Sequence, residues 1–191
     1  YYPLDYETYF KSPNRFVMVT SNCLTGEAEY FEEKQDADRL VDICCASCTL
    51  PVLCPVTYVD GIPMVDGGVC DAIPIQHAID DGFRKNVIIL TRNKGYRKEE
   101  KDFWLPGFIY RRYPAIRKQL KLRYRKYNEV LDYIDELEAK GDAIVIRPQK
   151  KMEVGRTTND RKKLSALYDE GYAIGQSIVE NNRFDFETPV I

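Results

Sequence analysis

The sequence predicts an α/β fold. A helical segment that begins near Pro74 is followed by an apolar, β-rich run at residues 87–90. A long amphipathic helix, from about residue 116 to residue 140, is followed by a similar run at residues 143–146. Helices that alternate with short apolar strands are typical of α/β layers with parallel pairing. We therefore expect these strands to pair in parallel and to be buried on both faces.

The remaining segments predict two further strands and two further helices. Residues 16–20 form a continuous apolar run of the kind that is covered on both faces of a sheet, and residues 28–31 form a second run after a tight turn. Asp36 or Asp38 can cap a helix whose apolar residues recur at helical spacing. Asp160, or one of the two residues before it, can cap the last helix.

One aspartate lies where a predicted hairpin ends. Asp60-Gly61 separates two short apolar runs and can supply the positive φ angles of a two-residue hairpin turn. The second strand ends at Asp66, after which Gly67 and Gly68 allow the backbone to bend sharply. An aspartate before glycines is usually a turn former that hydrogen-bonds its own backbone. The residues alone therefore leave two interpretations of Asp66, a turn former or a catalytic carboxylate.

The composition is that of a globular protein of one domain or slightly more. The chain has 191 residues, of which 44% are hydrophobic. No apolar run approaches the roughly 20 residues that a membrane-spanning helix needs, and the first residues do not resemble a signal peptide. We expect a soluble, cytoplasmic protein.

The formal net charge of −2 conceals a strong asymmetry. Residues 1–83 contain 4 Lys or Arg against 14 Asp or Glu, residues 84–126 contain 15 against 3, and residues 127–191 contain 9 against 13. A basic block of this kind can bind nucleic acid or an anionic membrane surface. It can also be a solvated helical surface that partly neutralises the acidic flanks.

The cysteine and histidine residues do not form a recognisable metal motif. The chain has six cysteines, among them Cys45-x-x-Cys48, but a zinc site needs four soft ligands and the single histidine is His77. We expect the cysteines around this motif to be reduced, buried thiols, and we expect no metal site. Nothing in the sequence positions His77 in a triad with Asp66, and no Gly-x-Ser-x-Gly elbow occurs.

Several short motifs occur in a specific combined order. They are Ala46-Ser47, Pro51, Pro55-Val56, Asp60-Gly61, Val65-Asp66-Gly67-Gly68, Pro74 and Ala78, with further motifs at Thr20, Thr25-Gly26, residues 87–91, Ile146-Arg147-Pro148, Gly155-Arg156 and residues 164–171. In this order they resemble the C-terminal two-thirds of a bacterial patatin-like phospholipase, a lipid acyl hydrolase. The resemblance implies a three-layer α/β/α fold in which helices flank a parallel-rich sheet and the N-terminal part is missing.

The resemblance also implies a catalytic role for Asp66. In that family, a serine on a glycine-flanked elbow and the aspartate of an Asp-Gly-Gly or Asp-Gly-Ala motif form a dyad without histidine. Carried over by position, Asp66 is that aspartate, and Gly67 and Gly68 complete its motif. The serine elbow and the glycine-rich oxyanion loop lie upstream in the family and do not occur in this sequence. We therefore expect an acyl hydrolase whose serine lies outside this chain, and we expect this chain alone to be inactive.

The resemblance and the charge pattern together divide the chain into three parts. Residues 1–97 are the expected α/β core with the Asp-Gly-Gly motif, residues 98–141 a basic, aromatic helical insertion, and residues 142–191 the strand and helix that complete the domain. The insertion could form an interfacial lid that contacts lipid headgroups, or an arm that packs on its own body. The candidate lipid-contacting residues are Phe103, Trp104, Phe108, Arg111 and Arg112.

Two other classes of function remain open beside the acyl hydrolase. The main alternative is a non-catalytic binding module on the same fold. The other is a nucleic-acid-binding protein that uses residues 84–126. For the acyl hydrolase, we expect no nucleic acid as a partner. For the hydrolase, the partner is a lipid or small ester, with peripheral membrane contact as an option. No metal or organic cofactor is implied, because serine, aspartate and oxyanion donors suffice. The oligomeric state is left open.

Overall fold

The computed structural model describes residues 4–100, 110–151, 154–155 and 158–181. In chain order, the elements are α1 (Tyr6–Lys11), β1 (Met18–Asn22), β2 (Ala28–Phe31), α2 (Ala37–Ser47), β3 (Thr57–Val59), β4 (Ile62–Asp66), a 3-10 turn (Gly67–Val69), α3 (Ile75–Asp80), β5 (Asn86–Ile89), α4 (Pro114–Lys140), β6 (Ala143–Ile146) and α5 (Arg161–Glu180). This alternation of helices and strands confirms a mixed α/β fold.

The chain divides into two compact units. Unit 1 comprises Tyr1–Pro74 and Glu99–Tyr127, and unit 2 comprises Ile75–Lys98 and Asn128–Ile191. Both units therefore contain segments that are distant in sequence. The boundaries of these units differ from the three parts expected from the sequence. That three-part division of the chain stays a prediction.

The sheet of unit 1 has four strands in the order β2-β1-β4-β3, and all neighbouring strands are antiparallel. The predicted hairpin is confirmed, since β3 and β4 are joined by Asp60 and Gly61, whose φ angles are 52° and 77°. A second short connection, which includes Gly26 at a φ of 73°, joins β1 and β2. Because short connections of this kind join antiparallel neighbours, the expected parallel-rich sheet is wrong for unit 1.

Helices cover both faces of this sheet. On one face, Leu40 and Ile43 of α2 form a buried cluster with Met64 of β4. On the other face, Ile116 near the start of α4 lies in a buried cluster with Val65 of β4. Successive residues of a strand point to opposite faces, so the neighbours Met64 and Val65 serve the two clusters separately. Unit 1 is therefore layered as helix, sheet and helix.

The first strand is shifted from its predicted position. It begins at Met18 and ends at Asn22, whereas Phe16 is 49% exposed and its ring forms a T-shaped pair with the ring of Tyr9. The strand continues through polar residues because their side chains are hydrogen-bonded. The Ser21 hydroxyl donates to a carbonyl of β4, and the Asn22 amide oxygen accepts from two N–H groups of the following turn. An apolar run in the sequence therefore marked only the first part of this strand.

Unit 2 contains a pair of parallel strands. β5 and β6 pair with Ile89 opposite Ile146, which confirms the predicted parallel pairing. Val87 and Ile89, however, are 43% and 74% exposed, so the expected burial on both faces is wrong. Side chains alternate along a strand, and β5 buries Ile88 while it leaves the other face open to solvent.

The ends of the helices follow local signals in the sequence. Asp36 caps α2 and Asp160 caps α5, each by accepting hydrogen bonds from N–H groups of the first turn. α4 begins at Pro114, two residues before its predicted start. Leu164 and Tyr168 of α5 are exposed, although residues at this helical spacing are typical of an apolar face. In the part of the chain that the structure describes, no helix combines the length and the apolar character needed to cross a bilayer.

A carboxylate between β2 and α2 ties three segments of unit 1 together. The side chain of Glu33 is 9% exposed and accepts hydrogen bonds from Gln35 N (2.7 Å), Asp36 N (3.0 Å) and Arg39 Nη1 (2.6 Å). Arg39 also lies 2.8 Å from Asp60 in the hairpin turn. The N–H of Asp36, together with the Arg39 guanidinium and the N–H of Gln35, lowers the pKa of Glu33 to about 2.

We expect acid to remove the stabilisation that Glu33 provides. Its carboxyl pKa is near 4.5 when it is unperturbed, so its contribution is complete above that pH and is lost as the pH falls toward about 2. Glu33→Gln should lower the free energy of unfolding at neutral pH by about 1–3 kcal/mol, because charge-assisted hydrogen bonds are lost. It should also reduce the loss of stability in that acid range. Urea unfolding at a series of pH values measures both effects.

Glu7→Gln is the matched control. Glu7 forms an ion pair with Lys11 on the surface of α1, and its side chain is 78% exposed. Exposed pairs of this kind contribute little to stability. Equal losses of stability in the two variants would contradict the role assigned to Glu33.

Candidate functional site

The main chain of Asp66 is held from two sides in unit 1. Its N–H donates to the carbonyl of Thr49 at 2.9 Å, and its carbonyl accepts from the hydroxyl of Ser21 at 2.9 Å. Thr20 of β1 is its partner in the antiparallel pairing. The residue that sequence analysis selected therefore lies at the end of a strand whose backbone is fixed by two neighbouring segments.

The two carboxylate oxygens of Asp66 have different environments. Oδ1 accepts from the N–H of Gly68 at 2.7 Å, so that Asp66 caps the 3-10 turn. Oδ2 makes no hydrogen bond with any residue that the structure describes, and the side chain is half-buried. The turn-forming interpretation is thus correct for Oδ1, while Oδ2 is available to accept a hydrogen bond.

Gly67 allows the turn to lie against β1. A Cβ atom at this position would be 2.4 Å from the carbonyl oxygen of Val19 and 2.6 Å from its carbonyl carbon. Both contacts are with main-chain atoms, which cannot rotate away. The glycine that follows Asp66 is therefore required by a close approach of two backbones.

Gly68 lies between the carboxylate of Asp66 and the side chain of Arg123. A Cβ atom at this position would be 3.0 Å from Asp66 Oδ1 and 3.3 Å from Arg123 Nη2, and the Gly68 carbonyl accepts from Arg123 Nε at 2.5 Å. This arginine was not predicted from the sequence. Its position in the sequence could have indicated a buried contact, because it lies three residues after Leu120 and seven after Ile116, on the apolar face of α4.

Ser21 is adjacent to Asp66 but is not a candidate nucleophile. Its side chain is fully buried, its hydroxyl donates to the Asp66 carbonyl, and it accepts from the N–H of Cys70 at 3.1 Å. The hydroxyl therefore bridges two main-chain segments and faces no solvent. Its role could not be read from the sequence, because it depends on the register between β1 and β4.

The histidine and the cysteines occupy unrelated positions. His77 lies on α3 in unit 2, with Nε2 3.7 Å from Asp81 Oδ2. All six cysteines are free thiols, and burial raises the pKa of Cys23 to about 12. Cys45 and Cys48 are exposed, so the expectation that the thiols of this motif are buried is wrong. Within the described ranges, no three His, Cys, Asp or Glu side chains are grouped so that they could hold a metal ion.

Arg111 and Arg112 border an open cavity of about 420 Å³ in unit 1. Its lining residues are Val52, Cys54, Val56, Tyr110, Arg111, Arg112 and Tyr113. Neither arginine has a carboxylate partner among the described residues. The other three predicted lipid-contacting residues, Phe103, Trp104 and Phe108, lie outside the described residues. The cavity thus combines apolar walls with two cationic side chains.

We expect Gly67→Ala to destabilise the protein strongly. The added Cβ would collide with the Val19 carbonyl, so the 3-10 turn or β1 must move. The free energy of unfolding should fall by about 2 kcal/mol or more, as in other overpacked sites. Urea unfolding followed by circular dichroism measures the change.

Gly171→Ala provides the opposite control. Gly171 lies within α5, and among the described residues no atom outside its own helical backbone is within 4 Å of a Cβ built there, so alanine should raise stability by up to about 1 kcal/mol through helix propensity. If both variants are neutral or stabilising, the close approach of the two backbones at Gly67 does not require glycine, and the prediction is wrong.

Two family models match separate parts of the chain. Residues 10–79 match the patatin-like phospholipase family, and residues 113–183 match a domain of unknown function (DUF6363). No curated protein matches the chain. The first match includes Asp66 and all four strands of the unit 1 sheet, and the second includes α4, β6 and α5.

The matches support a narrower resemblance than the sequence motifs implied. The patatin-like match ends at residue 79, so similarity to that family over nearly the whole chain, as its C-terminal two-thirds, is not confirmed. The segment that carries the Asp66 turn is similar to a family of lipid hydrolases.

Proposed function

We propose that unit 1 supplies the acid/base aspartate of a patatin-like serine acyl hydrolase that acts on phospholipids or other carboxylic esters. The serine of the Ser-Asp dyad lies outside this chain. The observation that carries the proposal is the geometry of Asp66, whose main chain is fixed by Thr49 and Ser21 and whose Oδ2 is available to a hydroxyl. The family match at residues 10–79 supports the class of reaction.

The chemistry follows from a carboxylate beside a hydroxyl. The serine hydroxyl donates to Oδ2 of Asp66, and its proton passes to the carboxylate as the oxygen attacks the ester carbonyl. The proton then goes to the leaving alcohol, and an acyl-enzyme remains. Water then gives a proton to the same carboxylate as its oxygen attacks the acyl-enzyme, and the proton returns to the serine oxygen as the acid is released. Because a carboxylate is a weak base, N–H donors must stabilise the oxyanion, and in the proposal they come from the same region as the serine.

The exposed face of β5 supports the proposal that further strands complete this fold. Parallel sheets are almost always covered on both faces, and a pair of strands is marginally stable alone. Val87 and Ile89 nevertheless face solvent in the parallel pair of unit 2. In the proposal, upstream strands of a longer protein would pair with the edges of this sheet, upstream helices would cover these side chains, and the same upstream region would carry the nucleophile.

A fluorophosphonate, which reacts with activated serines, tests the proposal. Intact-mass analysis should show an adduct on a form of the protein extended upstream in its own reading frame, and none on the 191-residue chain. In the extended form, Asp66→Asn should slow labelling by about 10²–10⁴-fold, the usual contribution of general-base catalysis. Asp71→Asn is the matched control, because Asp71 follows the same turn but accepts from the Tyr30 hydroxyl at 2.6 Å.

The outcomes separate the candidate functions. Labelling of the 191-residue chain would show that it carries its own activated serine, and the assignment of Asp66 to a serine outside the chain would be wrong. Labelling of neither form would favour a non-catalytic binding module on the same fold.

The cavity beside Arg111 and Arg112 supports contact with a lipid surface in the same proposal. Apolar walls next to two arginines that have no carboxylate partner in the described part of the chain suit a phospholipid, which combines acyl chains with a phosphate. Arg111→Gln with Arg112→Gln should weaken sedimentation with anionic vesicles by about tenfold or more at low salt. Arg84→Gln with Arg161→Gln removes the same charge from exposed positions and should have a smaller effect. Equal losses of vesicle binding in the two double variants would argue against a specific role of Arg111 and Arg112 in lipid contact.

A further inference from the structure

We propose that Cys45 and Cys48 are a redox-sensitive pair whose disulfide displaces the main chain that holds Asp66. Both thiols are exposed and reduced, one on the last turn of α2 and the other at the residue that caps it. Both are therefore accessible to a small oxidant, unlike the fully buried Cys23. The inference concerns a modification site and does not rest on the proposed hydrolase.

The spacing of the pair suits a disulfide. Residues three apart on an α-helix have Cα atoms about 5 Å apart, within the range that a disulfide bridges. The main chain also brings the pair together, because the N–H of Cys48 donates to the carbonyls of Cys44 at 3.1 Å and of Cys45 at 3.2 Å. The two cysteines can therefore be joined without a large rearrangement of the chain.

Closure of the bond nevertheless requires a small movement. Cβ atoms three residues apart on a helix are about 5–6 Å apart, whereas a disulfide brings them to about 3.5–4.5 Å. The difference of about 1–2 Å must be absorbed by one of the two residues. Cys45 lies within α2, while Cys48 lies after its last residue, with a φ of −100° and a ψ of −1°. Cys48 is therefore the residue that moves.

A displacement of Cys48 reaches Asp66 through a single residue. Thr49 follows Cys48 and is 5% exposed. Its hydroxyl donates to the Cys45 carbonyl at 2.8 Å, and its own carbonyl accepts the N–H of Asp66 at 2.9 Å. A second contact, between the hydroxyls of Thr49 and Thr57 at 2.7 Å, ties the residue to β3. Movement of Cys48 therefore strains the hydrogen bond that fixes the end of β4.

The oxidation is a thiol–disulfide exchange with a low-molecular-weight disulfide, of which oxidised glutathione is the probe. One cysteine thiolate attacks a sulfur of the probe, which gives a mixed disulfide and releases one small thiol. The second cysteine thiolate then attacks the protein sulfur and releases the other small thiol. In total, two protein thiols become one disulfide and one small disulfide becomes two thiols. Excess dithiothreitol reverses the exchange.

The test compares the reduced protein with protein treated with oxidised glutathione. Intact mass should fall by about 2 Da without an adduct, and peptide mapping should place the bond between Cys45 and Cys48. Hydrogen exchange of the Asp66 amide should become about tenfold faster, because the bond to Thr49 is weakened, and dithiothreitol should restore it.

Three variants make the result specific. Cys48→Ser and, separately, Cys45→Ser should abolish both the mass change and the faster exchange at Asp66. Cys54→Ser is the matched control, since it removes an exposed thiol outside α2 and should retain both effects. A mixed disulfide alone, a bond that persists in both pair variants, or a bond between Cys45 and Cys48 with unchanged exchange at Asp66 would overturn the proposal.

Discussion

The pairing of β1 with β4 is the constraint on which the rest of unit 1 depends. This register places Thr20 opposite Asp66 and brings β1 so close to the following turn that only glycine fits at position 67. A slip of one residue would exchange the faces of Met64 and Val65, which fill buried clusters on opposite sides of the sheet. The packing of both clusters and the position of the Asp66 carboxylate are therefore fixed by the same set of hydrogen bonds.

Features that depend on local signals could be predicted from the sequence, and features that depend on distant contacts could not. The hairpin at Asp60-Gly61 and the cap at Asp36 were predictable because turn and cap chemistry acts over a few residues. The bond from Ser21 to Asp66 was not, since it joins residues 45 positions apart. The exposure of Ile89 also could not be predicted from the sequence, because an apolar run does not indicate which other elements of the fold cover it.

Part of the charge asymmetry of the sequence is neutralised within unit 2. Arg97 lies 2.5 Å from Asp132 and 3.2 Å from Asp135, and Lys94 lies 3.3 Å from Glu138. These cations belong to the basic block, and the carboxylates belong to the acidic segment that follows it. The pairs favour local neutralisation over binding to an external polyanion for this portion of the block. Such exposed pairs add little stability, so their main effect is on the surface potential.

The turn-forming and catalytic interpretations of Asp66 are compatible, because they use different oxygen atoms. The bond from the Gly68 N–H to Oδ1 restricts rotation of the carboxylate and so gives Oδ2 a defined direction. A base that must meet a hydroxyl from another part of a protein benefits from this restriction, since less orientational freedom is lost when the reactive geometry forms. The main chain of Asp66, at the end of β4, is restricted in the same way, because its N–H donates to the carbonyl of Thr49. The position of Asp66 therefore depends on the short segment between α2 and β3, and a change of about 1 Å there would shift the main chain from which the carboxylate extends.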